Sequence, residues 1–157
     1  MLVRILVGLG IVVMVIAGGI VALVGWVSHE RSAYAATAVP YIKVVVPELS
    51  TWDPAQAKSV MDPDVLKQLP DEKLGRVLAF LSRLGHLKSM DEPVFTNVWS
   101  GTSTGTGAMT LVTYSIHAHF DAGDGDIVLR LHDRDGKFTV YSFNVNSEAL
   151  MTAPNKS

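Results

Sequence analysis

The stretch Thr110–Ala122 constrains this chain most. Val112, Tyr114, Ile116, Ala118 and Phe120 share one parity, and Thr113, Ser115, His117, His119 and Asp121 share the other. Successive side chains of a strand point to opposite faces, so the alternation predicts a long strand with one apolar and one polar face. A sheet built on it needs a cover for the apolar side. The chain carries that cover: after Pro70-Asp71-Glu72, Leu74, Val77, Leu78, Leu81 and Leu84 form one helical stripe, with Lys73, Arg76 and Arg83 off it. The early acids suit the helix dipole, and Gly85 is placed to end the helix.

Other elements follow from local chemistry. Val39–Leu49 reads as a helix, although Val44-Val45-Val46 would also suit a strand, and Pro47 predicts a kink or restart. Asp53-Pro54 and Asp62-Pro63 each place a capping carboxylate before a proline at the first helical position. A short strand Val94–Trp99 is expected, then a mobile Gly/Thr/Ser loop over Ser100–Gly107. Asp124-Gly125 predicts a primed turn, and Ile127, Leu129 and Leu131 alternate with Val128, Arg130 and His132 beyond it. Asp135-Gly136 turns the chain into Lys137–Ser147. There Phe138 and Val140 differ in parity from Tyr141, Phe143 and Val145, so one inserted residue near Val140–Ser142 predicts a β-bulge. The expected domain is α+β, with N-terminal helices on a four-stranded antiparallel meander.

Ahead of this domain, Ile5–Val27 contains no charged, amide or hydroxyl side chain. As a helix it would be about 34 Å long, enough to cross a hydrocarbon core of about 30 Å. Its length favours a retained anchor over a signal peptide, whose apolar core is about 7–15 residues. Ala33-Tyr34-Ala35 and Ala36-Thr37-Ala38 nevertheless fit the small-x-small cleavage pattern. Arg4 and Arg31 nearly balance across the span, and the short N-terminal tail favours the domain lying outside. The expected layout is an anchor at 1–28, a linker at 29–38, the domain at 39–150 and a frayed tail at 151–157. A bacterial inner-membrane location with the domain in the periplasm is expected.

Composition narrows the function. Cysteine is absent, which excludes disulfides, thiolate metal sites and a cysteine nucleophile. From Val39 onward 11 Lys/Arg are interspersed with 14 Asp/Glu, leaving no basic stripe for nucleic acid.

The order of elements, the Trp52-Asp53 helix entry, the helix ending Arg83-Leu84-Gly85, the strands Tyr114–Phe120 and Ile127–Leu131, and the closing segment Asp135–Phe143 resemble the nuclear transport factor 2-like (cystatin-like) superfamily. The resemblance covers roughly Val39–Leu150. It implies helices packed into the concave face of a curved antiparallel sheet. It also implies a range of roles: small-molecule isomerases and dehydratases, ligand-binding modules, and membrane-tethered scaffolds such as a periplasmic domain of type IV secretion systems.

Candidate sites are few. The apolar strand face carries no carboxylate or imidazole, so no catalytic residue is assigned, and Asp53, Asp62 and Asp64 read as caps or first-turn acids. Tyr114, Phe120, Leu131 and Phe143 are the candidate lining of a ligand pocket. If Asp124-Gly125 is the turn, His117 faces His132 and His119 faces Arg130, giving a surface polar cluster. Two opposed imidazoles could hold zinc, but the arginine among them disfavours a cation, so no metal and no cofactor is expected. The Gly101–Gly107 loop lacks the Gly-Lys-Ser/Thr ending of a phosphate loop. The expected function is a non-catalytic, membrane-anchored binding or interaction domain for an envelope protein or a small apolar ligand. A structural subunit of an envelope assembly and an isomerase or hydrolase of the same superfamily are the alternatives.

Overall fold

A computed structural model describes residues 33–103 and 107–152. The predicted anchor, the tip of the Gly/Thr loop and the end of the tail lie outside them. The chain divides into two units, Met1–Ala36 and Thr37–Ser157. Residues 33–49 are helical, and the 37–49 part of that helix, α1, belongs to the second unit. Among the described residues no helix is long and apolar enough to cross a membrane.

The second unit is α+β, as the patterning predicts. Helix α1 buries Ala38, Ile42, Val45, Val46 and Leu49, spaced as one stripe. The β-branched run therefore sits in a helix, where tertiary burial overrides local preference. Pro47 falls in the last turn, and the helix runs through it to residue 49, with the Ser50 N–H on the Val46 carbonyl, instead of restarting there. Helices α2 (Pro54–Val60) and α3 (Pro63–Gln68) begin as expected: Asp53 accepts from the Ala55 N–H and Asp62 from the Asp64 N–H, both at 2.9 Å. Helix α4 (Asp71–Leu81) buries Leu74, Leu78 and Leu81, passes through a short 3-10 turn at Ser82–Leu84 and stops at Gly85, whose φ of 76° is left-handed. Val77, placed on the stripe by spacing, is half exposed at its rim.

Five antiparallel strands follow: β1 (Leu87–Met90), β2 (Val94–Ser103), β3 (Gly107–Phe120), β4 (Gly123–Arg134) and β5 (Lys137–Asn146). The expected meander thus gains one strand. Both β1 and β2 pair with β3, one after the other along the same side, interrupted at Asp91-Glu92-Pro93. Strand β2 runs four residues beyond Trp99, because the Gly/Thr segment pairs with Gly107–Thr110 instead of forming a loop. Ser100 Oγ and Thr110 Oγ1 lie 3.1 Å apart across that extension. A short helix, α5 (Glu148–Thr152), closes the described chain.

Strand β5 carries the predicted bulge. Arg130 pairs with Ser142 and Leu131 with Val140, leaving Tyr141 as the extra residue. The slip restores a single inward row, with Val140, Phe143 and Val145 opposite Leu131, Leu129 and Ile127. Ile127, Leu129, Leu131 and Val140 form the core with the even-numbered row of β3, while Phe143 and Val145 are half-buried at its margin.

Candidate functional site

Three places in the domain concentrate chemistry. The first is the end of the β3–β4 hairpin. The two strands join through Asp121-Ala122, with Phe120 opposite Gly123, and not through Asp124-Gly125 as the Asp-Gly signal predicted. Gly125 instead lies within β4, opposite Ala118. A Cβ there would come within 3.2 Å of the Ser147 Cβ and 3.3 Å of the Asn146 carbonyl, so close chain approach explains the glycine.

The new register divides the expected His117, His119, Arg130 and His132 cluster. His117 now stands opposite Asp126 and His119 opposite Asp124. Arg130 lies between Thr113 and Ser142, while His132 lies between Leu111 and Thr139 and is buried. The surface cluster is therefore two histidines and the carboxylates facing them. His117 Nδ1 is 2.7 Å from Asp126 Oδ1, and its Nε2 is 3.8 Å from Asp124 Oδ2. His119 Nδ1 is 2.8 Å from Asp124 Oδ1, and its Nε2 is 3.8 Å from Asp91 Oδ1. The two rings meet edge to face at 5.1 Å. The hydrogen bond to Asp126, with further negative charge nearby, raises the His117 pKa; the hydrogen bond from His119 holds Asp124 below the usual carboxylate range. Taking Asp124-Gly125 as the turn hides the pairing of Asp124 and Asp126 with the histidines, and Asp91 reaches the cluster only through the β1–β2 link, which lies beside β3 in the fold. The signal was present as His-x-His followed by Asp-x-Asp, which same-face spacing brings together on adjacent strands.

The second place is buried. The link between α2 and α3 lies along the edge of β5: Met61 bridges Val140, and the Asp62 N–H donates to the Val140 carbonyl at 2.8 Å. This carries the Asp62 side chain to the sheet face opposite the core row, beside His132 and Thr139. Asp62 has no exposed surface. Its Oδ2 accepts from His132 Nδ1 at 2.8 Å, from Thr139 Oγ1 at 2.7 Å and from Arg134 Nη2 at 3.3 Å. Burial alone would raise its pKa, but the hydrogen bonds from Thr139, the Asp64 N–H and His132, together with the Arg134 charge, outweigh burial and lower it. Asp64, held low chiefly by Lys67, also accepts from Arg134 at 2.9 Å. The cap read from Asp62-Pro63 is real, but it is half of what this residue does.

The third place is a cavity of about 300 Å³ between the helices and β5. Leu49, Met61, Leu74, Leu78, Val140 and Phe143 line it, with Ser142 and Asn144 adding polar atoms. Of the four residues expected to line a ligand pocket, Phe143 does so. Tyr114, Phe120 and Leu131 are buried within the packed core and are not among this cavity's lining residues.

No family model, curated protein or solved structure matches the chain. The Asp62 network turns its polar atoms on one another and ties the α2–α3 link to β4 and β5. The cavity and the histidine–aspartate cluster both remain open to a ligand.

Proposed function

We propose that this chain is a membrane-tethered binding domain of the nuclear transport factor 2-like (cystatin-like) type. Ile5–Val27 holds it at a bacterial inner membrane, with the α+β domain in the periplasm, and a small apolar ligand occupies the space between helices and sheet. The observation that carries this reading is the cavity lined by Leu74, Leu78, Val140 and Phe143. Its volume of about 300 Å³ is at the lower end of small-molecule sites, and a mainly apolar wall with a few polar atoms is the usual form of such sites. No carboxylate or imidazole is among the cavity's described lining residues, which favours holding a ligand over transforming one by proton transfer.

Native mass spectrometry of the full chain, extracted from its membranes in mild detergent, tests the proposal. A copurifying small molecule is expected, and it should be lost from Val77→Trp. Val77 lines the cavity from its half-exposed rim, so the indole fills the space without displacing a fully buried side chain. The unfolding midpoint of the variant should stay near that of the parent. A parent that carries no small molecule and takes up no anilinonaphthalene sulfonate would overturn the reading.

A second reading, a structural subunit of an envelope assembly, is favoured by a different observation. Val94 and Trp99 stand 55% and 50% exposed on the edge strand β2. Exposed aromatic and aliphatic surface of this kind suits a protein contact. Photo-crosslinking from position 99 to another envelope protein in intact cells supports it, and migration as a lone monomer from native membranes counts against it.

A further inference from the structure

We propose that His117, His119 and Asp124 form a binding site for one divalent transition-metal ion, with zinc the ion that their donor set suits. One ligating atom from each residue lies within 4.8 Å of the other two. Donors about 2.0–2.1 Å from one zinc ion sit roughly 3.4 Å apart, so closure needs side-chain shifts on the order of 1 Å. The side chains of His117, His119 and Asp124 are 43%, 37% and 62% exposed and are free to make such shifts.

The arrangement around the three donors is what sets it apart from a polar surface. Each histidine turns one nitrogen towards Asp124 and the other towards a different carboxylate. For His117 the outer partner is Asp126, at 2.7 Å from Nδ1. For His119 it is Asp91, at 3.8 Å from Nε2. A carboxylate hydrogen-bonded to the far nitrogen, as Asp126 is to His117, fixes the ring and raises its basicity, and zinc-binding histidines commonly have such a partner; Asp91 stands beyond that distance from His119. In the neutral ring, an Nδ1–H donated to Asp126 leaves the His117 Nε2 lone pair facing Asp124 and available to the ion. His119 donates from Nδ1 to Asp124 in the metal-free state; on binding, that proton moves to Nε2, facing Asp91, and the freed Nδ1 lone pair takes the ion.

Charge also favours a cation here. Asp91, Asp124 and Asp126 surround two imidazoles, and no lysine or arginine ion pair to any of the three is present among the described residues. The arginine that the sequence placed in the cluster, Arg130, is four residues along β4 from Asp126, or about 13 Å in a strand. Three protein ligands leave a fourth zinc position open. His117, Asp124 and Asp126 also line a groove of about 710 Å³ whose other wall includes Ser147, Glu148 and Thr152. A water or an incoming ligand can occupy the open position from that groove.

Isothermal titration of the chelator-treated full chain with zinc chloride tests the site. One equivalent should bind, and His117→Ala and His119→Ala should each weaken binding at least tenfold. Asp126→Asn removes only the outer support of His117 and should weaken binding about 10- to 100-fold. His86→Ala is the control, because His86 is also exposed and paired to a carboxylate, Asp121 at 2.9 Å, but lacks a second histidine. It should leave binding unchanged. Cobalt in place of zinc should give a visible absorption band that His117→Ala abolishes. Circular dichroism of each variant confirms that it folds, as substitution of these exposed side chains should allow. Absence of stoichiometric binding, or binding insensitive to His117→Ala and His119→Ala, would overturn the proposal.

Discussion

Asp62 shows how one residue can serve two scales of structure. Its backbone N–H joins the edge of β5, one carboxylate oxygen caps α3, and the other gathers His132, Thr139 and Arg134. A fully buried carboxylate is costly unless its lone pairs are filled, and here they are. Asp62→Asn keeps the shape but turns an amide N–H₂ towards donors, so breaking this buried pair should cost about 3–5 kcal/mol. The pH dependence has a definite sign. Because the folded pKa is depressed, the contribution is complete above the unfolded value of about 3.9 and is lost as pH falls through the folded pKa. Urea unfolding of the parent should therefore show stability declining below about pH 4. Asp62→Asn should start lower and show a shallower acid decline, and an equally steep decline in the variant would remove Asp62 as its source. None of this network is local. The partners lie 70 and 77 positions away for His132 and Thr139, so spacing near Asp62 could reveal the cap but not the rest.

At the level of elements, what was legible was what neighbouring residues encode. The Asp-Pro helix entries, the leucine stripe of α4 and the parity change that marks the bulge at Tyr141 are all contained in short windows. The misplaced β3–β4 turn has the opposite cause. Asp124-Gly125 is a strong turn pair, whereas the actual turn, Asp121-Ala122, carries no glycine at either central position. The glycine at 125 answers a packing demand from Ser147 and Asn146, which only the folded chain exhibits. Strand β1 escaped notice because Leu87–Met90 has four residues and no alternation. The other Asp-Gly turn is as read: Asp135 and Gly136 have φ of 55° and 82°. Nothing lies within 4 Å of a Cβ at Gly136, so its side-chain cost is conformational alone. Gly136→Ala should destabilise the domain by about 1–2 kcal/mol, and Gly136→Asn by clearly less, because asparagine tolerates the left-handed region. Equal losses in chemical denaturation would point to a contact, not the backbone.

For the whole molecule, the proposed anchor would decide which side of the membrane the cavity and the histidine–aspartate cluster face. The proposed arrangement puts position 2 on the cytoplasmic side and the domain across the membrane, yet Arg4 and Arg31 leave the charge rule almost silent. The chain's lack of cysteine makes the question directly measurable, because any single cysteine introduced becomes the only thiol of these 157 residues. Lys88 on β1 has a side chain 60% exposed, and its contact with Asp121 is a long one at 3.8 Å, so Lys88→Cys should be tolerated. In intact cells a membrane-impermeant maleimide that enters the periplasm should label Lys88→Cys, whereas Leu2→Cys should react only after the inner membrane is breached. The reverse pattern would place the domain in the cytoplasm and remove the periplasmic half of the proposed function. The same labelled chain reports cleavage. A retained anchor gives one full-length labelled species in the membrane fraction, while processing after Ala35 or Ala38 gives a shorter one released as soluble protein. Ala38 is completely buried on α1, so cleavage after it would also cut that helix within the domain. Cleavage after Ala35 would leave the 37–49 part of the helix whole, so the mass of the labelled species is what separates it from retention, and the full-length membrane-bound species is the expected result.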